Sequence, residues 1–243
     1  MRKANMIVYE VHQELSENIK PGVTTIDLDK IAKEKCESLG ASPAFLNYPS
    51  PNSEVPPFPG VICASVNHEI VHGVPNNRKL EAGDILSVDF GCCYQDFYGD
   101  AAKTYPVGEI SDEAQKLLDV TEESLELAIN ACRPKNRIGD ISNAVQTRVE
   151  KEGFGVVREF VGHGIGRKMH EPPQIPNYGK AGQGRVLKVG MVLAIEPMIT
   201  AGKYNAKIES DGWTASTVDG SLAAHFEHTV AITVNGARVL SRP

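Results

Sequence analysis

Four carboxylates stand inside stretches that otherwise read as buried β-strands. Asp89 interrupts ILSVDFGCCY (85–94), and Asp100 interrupts FYGDAAKTYPV (97–107). Glu196 lies within MVLAIEPMIT (191–200), and Glu227 lies within AHFEHTVAITV (224–234). A carboxylate at the centre of an apolar strand loses much of its hydration energy unless it is paired or bound to metal. Since these stretches offer no obvious basic partner, the pattern indicates divalent cations.

The two aspartates belong to neighbouring strands that a tight turn must join. We predict this turn at Tyr94-Gln95, which places Asp89 and Asp100 equally far from it and therefore opposite one another. Like charges on one face of a strand pair, with Cβ atoms roughly 5 Å apart, destabilise a sheet. A cation bound between them would reverse the sign of that interaction.

His163, in VGHGIGRKMHEPP (161–173), is the candidate imidazole ligand. Gly162 and Gly164 leave its backbone and side chain unobstructed near another group. Several carboxylates with one imidazole suit Mn, Fe, Co or Zn, and carboxylates can bridge two ions about 3.5–4 Å apart. Each of these residues alone is more often a turn former, a cap or a core residue, so the inference rests on the joint pattern.

Two helix pairs and the strands between them must position these groups. Apolar spacings of three and four predict helices over 1–18 and 27–39, with Asp27 as the N-cap of the second. The same plan returns at 111–131 and 140–152, which we interpret as a degenerate internal duplication. We therefore predict one α+β domain over 1–243, with pseudo-repeats of about 1–108 and 109–243. Its helices should cover one side of a curved antiparallel sheet.

Five motifs, in this order, resemble those of type I methionine aminopeptidases: VNHEIVHGVP, ILSVDFG with YGDAAKT, VGHGIGRKMHE, LAIEPM and HFEHT. The resemblance covers nearly the whole chain and fits the short bacterial or organellar form. It implies the pseudo-twofold pita-bread (creatinase/aminopeptidase) fold and two divalent metal ions, which could be Co, Mn, Fe, Zn or Ni. The residues that match the family's metal ligands, with Asp100 and Glu227 as the bridging pair, are Asp89, Asp100, His163, Glu196 and Glu227.

The resemblance also implies an activity and a set of catalytic groups. Such enzymes are monomeric cytoplasmic exopeptidases that remove the initiator methionine from nascent polypeptides when the second residue is small, with transient ribosome contact. The implied mechanism is attack by a metal-bridging hydroxide on the scissile carbonyl. His170 would stabilise the oxyanion, His72 would hydrogen-bond the peptide near the leaving amine, and Glu196 would carry the proton to that amine.

A pocket for the methionine side chain is the second part of the implied site. Soft and aromatic groups favour a thioether, although each of them could equally be ordinary core packing. The residues that match the family's pocket are Phe45, Tyr48, Phe58, Cys63, Met169 and Trp213. This chain departs from the family between Tyr48 and Phe58, where the usual short Gly-containing link is replaced by PSPNSEVPP (49–57).

Three other functions compete with this interpretation. His68-Glu69-Ile70-Val71-His72 is a literal HExxH, which on a helix would mark a zinc endopeptidase. A β-branched run precedes it and Gly73 follows it, so we expect an extended strand there instead. Relatives that cleave Xaa-Pro bonds or dipeptides carry a large extra N-terminal domain, and metal-free binding proteins of this fold would not need all five ligand positions.

Composition limits the remaining possibilities. The net charge is −6 and the isoelectric point is about 5.7, which gives no drive toward nucleic acid or an acidic membrane surface. Five cysteines without a CxxC pair fit reduced thiols in a cytosol. Charges throughout MRKANMIVYEVHQEL argue against a signal peptide, and this helix starts so early that we expect a shortened N-terminus. His12, His225 and His228 are expected to be surface or packing residues.

Overall fold

The computed structural model describes residues 1–243 and contains two helix pairs, one in each half of the chain. The helices are α1 (Arg2–Asn18), α2 (Thr25–Ser38), α3 (Asp112–Ala131) and α4 (Ile138–Glu150). Val8, Val11 and Leu15 are fully buried at helical spacing, so one apolar face of α1 packs on strands from the first half of the chain. The four predicted helices are confirmed, with ends that differ by at most two residues.

Helix caps account for the differences at the N-termini. Thr24, rather than Asp27, caps α2, because its side chain accepts a hydrogen bond from the Asp27 backbone N–H. α4 begins at Ile138 because the carboxylate of Asp140 accepts from the backbone N–H of Arg137, at 2.7 Å. Both acidic residues therefore lie in the first turn, where a negative charge favours the helix dipole. None of the helices is long and apolar enough to cross a bilayer.

The first half of the chain forms one antiparallel sheet and part of another. Its strands are β1 (Ser42–Pro43), β2 (Cys63–Val66), β3 (Glu69–Val71), β4 (Ile85–Tyr94) and β5 (Phe97–Pro106). β4 is central, with β1 and β2 beside it and β5 paired along its length. α1 and α2 share a core of 21 buried residues with these strands. The expected strands at 85–94 and 97–107 are confirmed, and residues 44–62 form no helix or strand.

The second half contains a five-stranded antiparallel sheet and two smaller ones. Its strands are β6 (Gly155–Val156), β7 (Gly162–Gly164), β8 (Glu171–Ile175), β9 (Val192–Ile195), β10 (Met198–Thr200), β11 (Ala206–Ile208), β12 (Ala215–Thr217), β13 (Ala223–His225), β14 (His228–Thr233) and β15 (Gly236–Val239). The sheet orders are β15-β14-β9-β7-β8, β13-β10-β6 and β11-β12-β3. α3 and α4 pack on these strands around 23 buried residues. The interpretation of the two halves as a duplication stays a prediction.

The register of the β4–β5 hairpin differs from the predicted one. The turn is Gln95-Asp96, with φ of 50° and 62°, which is the left-handed pair of a type I′ turn. As a result Asp89 pairs with Ala102, and Asp100 pairs with Gly91. The prediction that the aspartates are directly opposed was wrong. The two aspartates still lie on the same face of the hairpin as diagonal neighbours. The pairing partner of Asp89 is two residues beyond Asp100, and side chains two residues apart on a strand point to the same face.

Glu196 and Glu227 interrupt their strands rather than lie within them. Ile195 pairs with His228 in the β9–β14 ladder, and Met198 pairs with His225 in the β10–β13 ladder. Each of the two chain segments therefore passes from the sheet that contains β9 and β14 to the sheet that contains β10 and β13. Extending the register of the Ile195–His228 pair by one residue places Glu196 opposite Glu227. The expectation of continuous strands over 191–200 and 224–234 was wrong, because each carboxylate occupies a break between two short strands.

Candidate metal centre and active site

A single cavity of about 540 Å³ collects the residues that the sequence singled out for chemistry. Its ionisable wall brings together Asp89, Asp100, His163, Glu196 and Glu227, and adds His72, His170 and His225. Its other wall is largely aromatic. The fold thus places the β4–β5 hairpin beside the point where the segments of β9–β10 and β13–β14 pass from one sheet to another. The five candidate ligands meet in one place although they lie up to 138 positions apart in sequence.

His163 directs an unprotonated ring nitrogen toward two of the carboxylates. Its Nδ1 lies 2.9 Å from the carbonyl oxygen of Gly164, which can only accept, so Nδ1 carries the proton. Nε2 then presents its lone pair, 3.8 Å from Asp100 Oδ2 and 3.5 Å from Glu196 Oε1. Burial lowers the pKa of His163 to about 4, so the ring is neutral near pH 7. A neutral imidazole with one nitrogen fixed by a carbonyl is the usual arrangement of a metal ligand.

Glycines on both sides of His163 allow this placement. A Cβ on Gly162 would collide with the carbonyl oxygen of Ala194, and one on Gly164 would lie 2.5 Å from the carbonyl oxygen of Pro172. β7 can therefore lie between β8 and β9 only if the two residues that flank His163 have no side chain. The close approach inferred from the sequence has this physical cause.

Buried carboxylate oxygens without hydrogen-bond partners mark the centre of the site. They are Asp89 Oδ1, Asp100 Oδ1 and Glu227 Oε1. Single ligand atoms of Asp100, His163 and Glu227 all lie within 4.8 Å of one another, which is close enough to share a cation. Glu227 is fixed there because its backbone N–H donates to the carbonyl oxygen of Ala102, at 2.8 Å. A buried acceptor with no donor is costly, and a divalent cation would satisfy all three.

The electrostatics of the cluster point the same way. Burial raises the pKa of Asp89 to about 7. Burial, followed by repulsion from neighbouring carboxylates, raises the pKa values of Asp100 and Glu227 well above their usual range. The pKa of Glu196 is raised by burial and by Asp89. Four acids that cannot all ionise unaided fit a site whose charge is completed by metal. The donor set therefore fits divalent metal binding.

These pKa shifts predict that metal loading releases protons. At pH 7 Asp89, whose pKa is about 7, holds its proton in part of the metal-free molecules, and a cation must displace that proton, whereas His163 is already neutral. We expect protons to be released on Mn²⁺ binding at pH 7, and affinity to rise between pH 5 and 8. Calorimetry in buffers of different ionisation enthalpy measures this release. An affinity independent of pH, with no proton released, would contradict the assignment.

Two further histidines border the cluster. His170 Nδ1 lies 2.6 Å from the Tyr48 hydroxyl, and its ring centroid is 4.3 Å from that of His163. His72 adopts a left-handed backbone with φ of 59°, which is unfavourable for a residue with a Cβ, and its ring packs edge-on to Phe160. Burial lowers the pKa of His72 to about 4 and also lowers that of His170. Both rings are neutral near pH 7 and can donate a hydrogen bond without bringing a charge.

The aromatic end of the cavity contains most of the residues predicted for a side-chain pocket. Those on its wall are Phe45, Tyr48, Phe58, Cys63 and Trp213. Met169 does not line the cavity but belongs to the same apolar cluster as these residues, and its role in the pocket stays a prediction. Its side chain packs behind the wall, against Gly91 and Phe45, where a Cβ on Gly91 would meet Met169 Cε at 2.7 Å.

His225 is a site residue that the sequence analysis missed. It is 1% exposed, it lines the cavity, and its Nε2 has no hydrogen-bond partner and lies 3.8 Å from Glu196 Oε2. A signal was present, because residues two apart on a strand share a face and His225 stands two before Glu227. His12 is buried and His228 is partly buried, and these two hydrogen-bond to Tyr105 and Ser241 as packing groups.

The zinc endopeptidase alternative fails on local structure. Glu69–Val71 is a strand, so the HExxH residues lack the helical spacing that would put both histidines on one ion. The Glu69 carboxylate instead accepts a hydrogen bond from the backbone N–H of Val66, at 2.7 Å. Of the three ionisable residues of this motif, only His72 reaches the cavity.

Comparison with known proteins gives a consistent assignment. Metallopeptidase family M24 matches residues 1–234. Methionine aminopeptidase 1 of Bacillus subtilis (strain 168) is 51% identical over 242 residues, which cover 100% of this chain and 95% of the relative. The methionine aminopeptidase of Clostridium perfringens (strain 13 / Type A) is 49% identical over 99% of this chain and 94% of its own.

Solved structures agree with these sequence relatives. The crystal structure of methionine aminopeptidase from Thermotoga maritima matches with a TM-score of 0.95 at 47% identity, over 100% of this chain and 95% of that one. Prolidase from Pyrococcus furiosus matches with a TM-score of 0.77 at 22% identity, and the match covers all of this chain but only 62% of the prolidase. The expected α+β pita-bread fold is thereby confirmed.

Proposed function

This chain belongs to metallopeptidase family M24, and we propose that it is a methionyl aminopeptidase, which removes the N-terminal methionine from nascent proteins when the second residue is small. The observation that carries the proposal is the meeting of four buried carboxylates and one bare imidazole nitrogen with an aromatic pocket in one cavity. The first set suits cations and an amino terminus. The second suits a thioether side chain.

The proposed ligands are Asp89, Asp100, His163, Glu196 and Glu227. We propose that they hold two ions, which could be Co, Mn, Fe, Zn or Ni. The number of ions is supported by the carboxylate oxygens, which are more than one ion needs. When bound, the ions supply a Lewis acid and lower the pKa of water. Asp100 and Glu227 would be the two ligands that both ions share, because Asp100 lies next to both Asp89 and Glu227.

The remaining groups divide the work on the peptide. His170 donates a hydrogen bond to the oxygen of the scissile carbonyl as negative charge develops there. His72 hydrogen-bonds the peptide near the leaving amine. Glu196 takes a proton from the attacking water at a carboxylate oxygen and passes it to that amine. The metal that these carboxylates would hold can also bind the unprotonated α-amino group of the substrate, which restricts cleavage to the first residue.

The cellular setting follows from the same proposal. The substrate is the N-terminus of a nascent polypeptide, so the enzyme works in the cytoplasm with transient ribosome contact. All five cysteines are unpaired, which fits a reducing compartment. We further propose that the chain acts as a monomer and as one domain built from pseudo-repeats of about 1–108 and 109–243, without binding nucleic acid or membrane.

Product analysis on Met-Xaa peptides across added metals tests this function. We expect free methionine when Xaa is Ala, Gly or Ser, and none when Xaa is Phe, Leu or Lys. A peptide with an acetylated N-terminus is the matched control and should resist cleavage, because it lacks the free amino group that the metal centre would bind. Release of internal fragments, or equal cleavage before large residues, would contradict the proposal.

A further inference from the structure

The two carboxylates proposed to share both ions belong to different halves of the chain. Asp100 is in β5, and Glu227 lies at the break between β13 and β14. β5 pairs only with β4, so its second edge faces the 225–229 segment. One backbone hydrogen bond joins them there, from the Glu227 N–H to the carbonyl oxygen of Ala102, at 2.8 Å. The distance between the two carboxylates therefore depends on how this segment is attached to β5.

Regular strand pairing would continue from that bond in both directions. Hydrogen-bonded pairs of an antiparallel ladder repeat every two residues, so the next pairs would be Asp100 with Thr229 and Thr104 with His225. Neither pair forms a bond between backbones. The Thr229 N–H donates instead to Ser241 Oγ, at 3.2 Å. The two chains thus separate on both sides of Glu227.

A threonine hydroxyl replaces the missing backbone bond on each side. Thr229 Oγ1 donates to the carbonyl oxygen of Asp100, at 2.8 Å. Thr104 Oγ1 accepts from the His225 N–H and donates to the His225 carbonyl oxygen, both at 2.9 Å. Because the one proton of Thr104 is used there, the Ser87 hydroxyl, 2.8 Å away, donates to Thr104. The two side chains therefore span the gap that the backbones leave.

Both hydroxyls act where water cannot replace them. Thr229 is 0% exposed and Thr104 is 1% exposed. A buried carbonyl that loses its donor is costly, so the chain would shift to find another partner. Burial and then repulsion from Asp100 raise the pKa of Glu227. The two carboxylates repel each other when both are ionised, and the hydroxyl bonds oppose the separation that this repulsion favours.

We propose that Thr104 and Thr229 are positioning residues of the metal site, whose hydroxyls fix the distance between Asp100 and Glu227. This inference rests on the proposed function, because it concerns the same metal centre. Neither threonine lines the cavity, so neither touches the ions or the peptide. Thr229 acts through the backbone of Asp100, and Thr104 acts through His225, two residues before Glu227.

Thr229→Val tests the hydroxyl while it keeps the branched shape of the side chain. The valine cannot donate to Asp100, so we expect calorimetric titration of the metal-free protein to show an affinity for Mn²⁺ at least about tenfold lower, as for other outer contacts of metal sites. Thr229→Ser keeps the donor and should bind Mn²⁺ within about threefold of the native affinity. Native affinity in a folded Thr229→Val protein, or an equal loss in the serine variant, would overturn the proposal.

Thr121→Val is the matched control. Thr121 is also 0% exposed, and its hydroxyl donates to the carbonyl oxygen of Leu117, at 2.7 Å, within α3 and away from the cavity. This variant loses the same kind of buried bond and should keep native Mn²⁺ affinity. Thr104→Val is the second test in case Thr229→Val does not fold, and it should weaken Mn²⁺ binding. Equal affinities in Thr104→Val and Thr121→Val would contradict the proposal.

Kinetics on a Met-Ala peptide at saturating Mn²⁺ provide a second readout. Thr229→Val should lower kcat and leave KM nearly unchanged, because the side-chain pocket is not altered. A native protein that releases no methionine but shows the expected order of Mn²⁺ affinities would defeat the proposed function and keep the positioning role. Methionine release with equal Mn²⁺ affinities in all variants would defeat only the positioning role. A native protein that binds no Mn²⁺ would overturn both.

Discussion

Replacing Asp100 by asparagine is expected to lower kcat/KM for a Met-Ala peptide by at least about 10³-fold, which corresponds to about 4 kcal/mol of transition-state stabilisation. Asp100 is 3% exposed and lies within ligand distance of His163 and Glu227. The amide keeps the shape of the side chain but loses the charge that balances a cation. Metal content, measured by elemental analysis after gel filtration, should fall together with activity.

Asp29 offers a matched control for Asp100. It is also buried and its pKa is raised by burial, but it lies outside the cavity. Its Oδ1 accepts hydrogen bonds from the backbone N–H groups of Val61 and Ile62, which an asparagine oxygen can also accept. Asp29→Asn should therefore keep both metal and turnover. Full activity of Asp100→Asn, or equal losses in the two variants, would contradict the metal assignment.

Replacing His170 by alanine is expected to lower kcat about 10²–10³-fold with metal content retained, because the variant loses one donor to the developing oxyanion. When the Tyr48 hydroxyl donates to Nδ1, the proton of the neutral ring stands on Nε2, which is then free to donate to the peptide. Steady-state kinetics on a Met-Ala peptide, with metal analysis of the same sample, measures the effect.

Tyr48→Phe is the informative companion to His170→Ala. It removes only the group that orients the ring, so we expect a loss of a few-fold, smaller than that of the alanine variant. If His170→Ala keeps its kcat, or if it loses its metal, the oxyanion role is wrong. If both variants lose the same activity, the role of Tyr48 extends beyond orientation.

The sequence predicted the chemical groups of the site better than their local geometry. Asp89, Asp100, Glu196 and Glu227 stood out because a carboxylate in an apolar strand is costly wherever it lies. The breaks at Glu196 and Glu227 could not be read, because the change from one partner sheet to another depends on strands far away in sequence. Local hydrophobic pattern reports burial and carries little information about the pairing partner.

Turns and caps show where several sequence interpretations compete. Tyr94-Gln95 and Gln95-Asp96 both lack the glycine that usually marks a type I′ turn, so the hairpin register could shift without a visible signal. Thr24 and Asp27 form a pair in which either residue could cap the helix, and only the hydrogen bond decides.

The central claim is that five separate side chains converge on divalent cations. Anomalous diffraction from a crystal of this protein grown with Mn²⁺ tests it most directly. We predict anomalous density within coordinating distance of Asp89, Asp100, His163, Glu196 and Glu227. Manganese bound at another place, with these five groups free of metal, would contradict the claim.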